Sequence, residues 1–162
     1  MAVVHQKSTA ITNADATPQV PTNSYLRGGV VRTSVGKVQT GAADDPTSVL
    51  RFVRVPSNAR IVRINVTSDD AGATGTFDIG VYKTAADGGA VVDADEFAAA
   101  YDLKAAALVD AVVTIAPENK EKRLWDHLGL TADPGIDYDI AMTTVEEPAA
   151  ATDIALEVTW VQ

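Results

Sequence analysis

The sequence lacks cysteine entirely and contains few aromatic residues, which make up 6% of the chain. Without thiols the chain forms neither a disulfide nor a cysteine-based zinc site, and this composition fits a reducing compartment. No apolar run reaches the roughly 18–20 residues that span a bilayer. Residues 1–19 lack the charged start and apolar stretch of a secretory signal, so we expect neither a membrane span nor a signal peptide.

Positive charge is also scarce, and it is unevenly distributed. The net charge of −9 argues against nucleic acid as the main partner. Residues 1–68 hold eight Lys or Arg against three Asp, whereas residues 69–162 hold five against nineteen Asp or Glu. Two interpretations remain open. The halves form faces of opposite sign that favour self-association or docking to a charged partner, or the fold interleaves the halves and mixes their charges.

From Gly28 onward the sequence is typical of β-strands. Apolar and polar residues alternate in four segments, and one of them places Val62, Ile64 and Val66 on the same face. The segment 28–39 is rich in β-branched residues, with Gly36 as a candidate bulge. We therefore predict an all-β domain over residues 28–162. It is expected to be an antiparallel β-sandwich of jelly-roll type with one or two short helices.

The N-terminal segment 1–27 is predicted to be an extended arm. It is polar, shows no amphipathic period, and contains Pro18 and Pro21, which favour extended backbone. Such a segment buries too little apolar surface to order itself, so we expect it to lie against its own domain or a neighbouring subunit.

Two helices are expected within the domain. The segment 93–103 begins with an aspartate and is rich in alanine, and the segment 119–130 has apolar residues at helical spacing before Gly129. The apolar stretch between them, residues 105–116, favours a strand because of its β-branched residues.

The residues that could carry chemistry have simpler explanations. Asp93, Asp95 and Glu96 lack the spacing of a calcium-binding loop and fit a helix start. Asp137 and Asp139 are typical of the wet face of a strand. His127 has no serine in a nucleophile elbow and no cysteine to act on, so we interpret it as a surface or interface residue. We predict no catalytic, metal or cofactor site, and no enzyme activity.

Three segments, in order, resemble a class of tailed-bacteriophage virion proteins. The first is VLRFVRVPSNARIVRINV, the second GTFDIGVYKTAADGGAVVDADEFAAAYDL, and the third LWDHLGLTADPGIDYDIAMTTV. They lie within residues 49–145, so the arm is not part of the resemblance. The class consists of small decoration, or cement, proteins of the capsid.

This resemblance implies a β-sandwich or jelly-roll subunit on the outside of an icosahedral shell, assembled in the host cytoplasm. It implies partners, namely the major capsid protein and further copies of the chain as a dimer or trimer that bridges capsomers. It implies no active site, no cofactor, no direct contact with nucleic acid and no membrane. The absence of cysteine agrees with assembly in the cytoplasm.

Contact with the shell or with sister subunits is expected to involve the arm and the basic strands, because arginine tolerates interface burial well. The candidate residues are His5, Lys7, Tyr25, Arg27, Arg32, Arg51, Arg54, Arg60 and Arg63. Two alternatives remain. One is a head–tail connector or tail component. The other is a carbohydrate-binding sandwich, which would need exposed aromatic residues, whereas Trp125 and Trp160 occupy positions that predict burial.

Overall fold

A computed structural model describes residues 6–42, 44–104 and 107–162. Within them lie eight strands, two short α-helices and two single turns of 3₁₀-helix. The strands are β1 (Val31–Gln39), β2 (Val49–Pro56), β3 (Arg60–Ser68), β4 (Thr76–Lys83), β5 (Val91–Asp102), β6 (Leu108–Val113), β7 (Asp137–Glu146) and β8 (Asp153–Val161). The α-helices are α1 (Thr9–Asp15) and α2 (Leu124–His127), and the 3₁₀ turns are Ala85–Asp87 and Pro117–Asn119.

The strands form two four-stranded antiparallel sheets, and the predicted antiparallel β-sandwich is confirmed. Sheet 1 has the order β1-β8-β3-β6 and sheet 2 the order β2-β7-β4-β5. The pairs are nested, since β1 pairs with β8, β2 with β7, β3 with β6 and β4 with β5. A long hairpin that folds over on itself in this way gives the strand order of a double-sheet jelly roll.

The core lies between the two sheets and consists mainly of branched aliphatic side chains. Ile64 of β3 and Leu156 of β8 face Ile79 of β4 and Ile140 of β7, and all four are fully buried. Each contributes roughly 1.5–3 kcal/mol relative to an exposed position. The alternation that predicted these strands therefore reflects two inner faces packed against each other.

The predicted helix over residues 93–103 is wrong, because this segment belongs to strand β5. Its alanine content favours a helix locally, but β5 completes the edge of sheet 2 by pairing with β4, from Thr76 opposite Asp102 to Tyr82 opposite Val91. Tertiary pairing therefore overrides a modest helix propensity. The predicted strand within residues 105–116 is confirmed as β6.

Strand β5 carries a large bulge opposite Gly80. Ile79 pairs with Ala98 and Val81 with Asp93, so residues 94–97 form extra chain on β5. We call residues 94–97 the β5 bulge. A Cβ atom on Gly80 would collide with the Asp93 carbonyl oxygen, so only glycine allows the bulge to come this close to β4.

Two further local predictions are corrected. The register of β1 is continuous through Gly36, which pairs with Leu156, so Gly36 is not a bulge. Its missing side chain instead permits close contact with the Phe52 carbonyl group of β2. In β3 the register shifts between Ile61 and Arg63, so Val62 does not share the core face with Ile64.

The second predicted helix is shorter than expected. The segment 119–130 contributes only the end of the Pro117–Asn119 turn and the four-residue α2. In the described part of the chain, no helix has the length and apolar character that crossing a membrane requires.

The arm contains a short helix that its polar sequence did not predict. The Ser8 side chain accepts a hydrogen bond from the Ile11 amide and caps α1. No residue of α1 is buried, and Ile11 is 51% exposed. The arm therefore carries a helix that the domain does not cover.

The fold interleaves the basic and acidic halves of the sequence, as one of the two interpretations of the charge distribution expected. Strands β1 and β3 alternate with β8 and β6 in sheet 1, and β2 pairs with β7 in sheet 2. An ion pair of 2.6 Å between Lys37 and Asp153 joins the two halves.

Candidate interaction surface

The sandwich places the arginines of β2 and β3 on opposite outer faces. Arg54 pairs in register with Asp139 and lies between the buried Val53 and Val55. Its side chain therefore points away from the core, on the outer face of sheet 2. Arg63 pairs with Thr159, next to the buried Ile64, and points away from the core of sheet 1. The basic strands therefore do not form one continuous surface, although they are adjacent in sequence.

On sheet 2, Arg51 and Arg54 are held by a single buried carboxylate. Arg54 donates from Nε to Asp139 Oδ1 at 2.7 Å and from Nη2 to Oδ2 at 3.2 Å. Arg51 donates from Nη1 to Asp139 Oδ2 at 3.0 Å and to the Lys83 carbonyl oxygen at 2.8 Å. A further bond of 2.7 Å runs from Arg51 Nη2 to the carbonyl oxygen of Gly89. These bonds tie β2 to β7 and to the β4–β5 turn.

Asp139 is 6% exposed, so the prediction that it lies on a solvent-exposed strand face is wrong. Asp137 is exposed, as predicted. Burial opposes ionisation of Asp139, but the hydrogen bonds and charges of Arg54 and Arg51 outweigh it and hold the pKa of this carboxyl below its ordinary value. Two guanidinium groups share one carboxylate, so the cluster keeps one net positive charge. It borders a shallow hollow of about 410 Å³.

A second group of basic residues lies at one end of sheet 1, and we call it the arginine corner. Arg32 pairs in register with Trp160, Arg60 with Val161 and Arg63 with Thr159, so all three sit where β8 ends. Arg32 lies over the Trp160 ring at 5.5 Å. Arg60 and Arg63 lie on the outer face of the sheet. The fourth member of the corner is Arg123, which immediately precedes α2.

The arginine corner also anchors the arm. Arg60 donates from Nε to the Tyr25 carbonyl oxygen at 2.7 Å and from Nη1 to the Lys120 carbonyl oxygen at 3.2 Å. The guanidinium of Arg123 lies 4.3 Å from the centre of the Tyr25 ring, a cation–π contact. The last part of the arm is thereby fixed to the domain, while α1 is not buried.

The four arginines of the corner have no carboxylate partner within 4 Å among the described residues. In contrast, Lys37, Lys104, Arg51 and Arg54 each form an ion pair. Unpaired positive charge in a chain with a net charge of −9 is therefore concentrated at this end of sheet 1. Such a surface favours contact with carboxylates of another molecule.

The remaining predicted contact residues are distributed along the arm. Arg27 is exposed in the turn that follows Tyr25, and its amide donates to the Asn23 carbonyl oxygen at 3.1 Å. Lys7 forms an exposed ion pair of 2.7 Å with Asp15. His5 lies outside the described residues.

Sequence reasoning missed one residue of this surface and misplaced a histidine that lies outside it. Arg123 was not predicted as a contact residue because it lies in a loop that approaches the arm only through the fold. His127, interpreted as a surface or interface residue, is instead buried with a side chain 5% exposed, beside Glu96. Among the described residues, no group of three or more acidic or histidine side chains is arranged to hold a metal ion.

The sequence matches no protein-family model and no curated protein. The fold, however, is similar to that of two solved structures. One is from "Capsid of Ralstonia phage GP4", with a TM-score of 0.60 and 20% identity over 83% of this chain and 85% of that chain. The other is from "Cyanophage Pam1 capsid asymmetric unit", with a TM-score of 0.50 and 17% identity over 91% of this chain and 94% of that chain. At these identities the similarity concerns the fold.

Proposed function

We propose that this protein is a non-enzymatic structural component of a bacteriophage virion. In this role it decorates the outside of the capsid and stabilises it by bridging shell subunits. The observation that carries the proposal is the fold, which matches chains of two phage capsids over most of each chain. Its partners are the major capsid protein and further copies of itself.

The arrangement of the surface supports a bridging role. The arm is anchored at Tyr25, while α1 is left without a buried face, so residues 6–16 are placed to reach another subunit. The arginine corner adjoins this anchor and presents unpaired guanidinium groups. An arm and an adjoining charged surface together allow several weak contacts to act at once, which raises the overall affinity for a repetitive shell.

The copy number of the chain in purified particles tests this role directly. We expect quantitative mass spectrometry to give a ratio to the major shell protein close to one, or to a simple fraction such as one third. A ratio of a few per cent would contradict decoration and place the chain in the neck or tail. Its absence from particles would overturn the virion role and favour a glycan-binding sandwich.

Charge reversal in the arginine corner is expected to weaken binding to the shell. Arg63 is exposed and has no ion pair, so Arg63→Glu should leave the fold intact while placing a negative charge against the acidic partner. We expect the dissociation constant for undecorated capsids to rise by about tenfold or more, corresponding to about 1.4 kcal/mol. Binding can be measured by co-sedimentation at several salt concentrations.

The matched control is Lys83→Glu, which makes the same change of charge on an exposed residue at the end of β4 in sheet 2. We expect Lys83→Glu to bind as the wild type does. Equal weakening by both substitutions would show a general charge effect and would contradict a specific role of the corner.

A further inference from the structure

Outside the interaction surface, the side chains of His127 and Glu96 form a largely buried titratable pair. His127 Nε2 lies 2.8 Å from Glu96 Oε1, and the two side chains are 5% and 14% exposed. Glu96 belongs to the β5 bulge, and His127 is the last residue of α2. The ring of Phe97, also in the bulge, meets the His127 ring edge-on at a centroid distance of 5.6 Å. The contact therefore joins two elements that share no backbone ladder.

The interaction surface does not explain this pair, because neither residue contributes to the arginine corner or to the Arg51–Asp139–Arg54 cluster. Burial of a carboxyl group beside an imidazole lowers the free energy of unfolding in most protonation states. With one proton between them the pair is neutral overall and joined by a hydrogen bond. Adding or removing a proton leaves a net charge in a site of low dielectric constant.

We propose that Glu96 and His127 form a pH-sensitive latch that holds α2 against the β5 bulge through one shared proton. The surrounding charges make the latch selective for the neutral pair. Asp93 and Asp95, on β5, oppose a negative charge on Glu96, and Lys122, just before α2, opposes a positive charge on His127. Lys122 also favours the ionised form of Glu96, but this effect is smaller than those of Asp93 and Asp95. Asp126, within α2, acts in the opposite sense and favours protonation of His127.

The direction of the titrations agrees with this geometry. Burial, followed by the charges of Asp93 and Asp95, raises the pKa of Glu96 to about 7. Burial, assisted by Lys122, lowers the pKa of His127 below 6.5. Glu96 thus holds a proton in the folded state that an unfolded chain would release, and His127 lacks one that an unfolded chain would bind.

The sign of the effect on stability follows from these two shifts. The contribution of Glu96 is lost as the pH rises from about 4.5 through about 7. The contribution of His127 is lost as the pH falls below 6.5 toward its lower folded-state pKa. Below pH 6.5 the contributions of both groups to stability change with pH. Above pH 6.5 only the contribution of Glu96 changes. We therefore expect the latch to loosen as the pH rises through about 7.

The latch reaches the arginine corner through the chain itself. Arg123 immediately precedes α2, and its carbonyl oxygen accepts a hydrogen bond of 2.8 Å from the His127 amide. Loosening of α2 is transmitted in this way to the residue that stacks on Tyr25 of the arm. The inference concerns the folded protein alone, so its test does not depend on capsid binding.

The test combines an NMR titration of the His127 ring with amide hydrogen exchange in α2. The His127 signal can be assigned by its loss in His127→Gln, because the chain has only one other histidine. We expect His127 to titrate below 6.5, with a second inflection near 7 that disappears in Glu96→Gln. We also expect exchange of the His127 and Leu128 amides, corrected for intrinsic rates, to accelerate about three- to tenfold between about pH 6.5 and 8 in the wild type but not in Glu96→Gln.

Asp126→Asn serves as the control, since it removes a neighbouring exposed carboxylate and leaves the 2.8 Å contact intact. It should retain the second inflection and the change in exchange. A His127 titration that Glu96→Gln does not alter would overturn the latch. So would α2 protection that is equally independent of pH in the wild type and in Glu96→Gln. Should Glu96→Gln fail to fold, exchange of the Leu128 amide can be compared between the wild type and His127→Gln, which also lacks the shared proton.

Discussion

Removal of residues 1–27 is expected to abolish binding to the capsid while leaving the sandwich folded. Residues 6–27 contribute no strand to either sheet, and α1 has no buried residue. Its loss removes the Tyr25 contacts with Arg60 and Arg123, which should lower the free energy of unfolding by about 1–2 kcal/mol. Co-sedimentation with undecorated particles measures binding, and circular dichroism with urea denaturation measures folding.

Two further variants test separately the contact of residues 1–16 with the shell and the attachment of the arm to its own domain at Tyr25. A chain lacking only residues 1–16 keeps the Tyr25 anchor, so we expect the stability of the wild type together with loss of binding. Tyr25→Ala keeps α1 and removes the aromatic ring under Arg123, so binding should weaken rather than disappear. Wild-type occupancy by the chain that lacks residues 1–27 would refute the role of the arm in decoration.

The largest loss of stability from a single exposed-face substitution is expected for Asp139→Ala. This change leaves two guanidinium groups without their common acceptor at the middle of sheet 2. Breaking a well-buried ion pair costs roughly 3–5 kcal/mol, and because both arginines retain access to water we expect about 2–3 kcal/mol. Urea denaturation should show a lower midpoint with an unchanged slope.

Asp137→Ala is the matched control, because Asp137 lies on the same face of β7, two residues away, and is exposed. We expect its effect on the free energy of unfolding to be within about 0.5 kcal/mol. Similar losses in the two variants would show that the Arg51–Asp139–Arg54 cluster does not stabilise the sheet.

The contribution of Asp139 also has a defined pH dependence. Its folded-state pKa is lowered below 3.8, so the stabilisation is complete above the unfolded-state value and is lost as the pH falls through the folded-state value. The difference in stability between the wild type and Asp139→Ala should therefore shrink in acid. A difference that stays constant down to about pH 2 would contradict the assignment to an ionised carboxylate.

Much of the fold could be predicted because the alternation of apolar and polar residues indicates strands with one face packed in the core. Ile64, Ile79, Ile140 and Leu156 lie in alternating segments, and all are buried in the core. The β5 segment could not be read in the same way, because its bulge breaks the period of two. Its alanines also carry a local preference that only pairing with β4 overrides.

The candidate surface was less accessible to sequence reasoning than the fold. Arg54 and Arg63 are nine positions apart, yet they lie on opposite faces because the turn between β2 and β3 crosses from one sheet to the other. Arg123 joins the corner only through contacts with a distant segment of chain. Charge composition gives the number of arginines, whereas the strand order determines which of them find a carboxylate.

The nested strand order has a consequence for how the chain folds during synthesis. β1 pairs with β8 from Val31 opposite Val161 to Gln39 opposite Asp153. β3 also pairs with β8, so β1 cannot be joined to β3 and β6 in sheet 1 until β8 has been synthesised. Contacts between residues so far apart in sequence slow folding, and strand edges lack hydrogen-bond partners until these contacts form. Until β8 has been synthesised, the edges of β1 and β3 that it joins are unpaired, and such edges can associate with other chains.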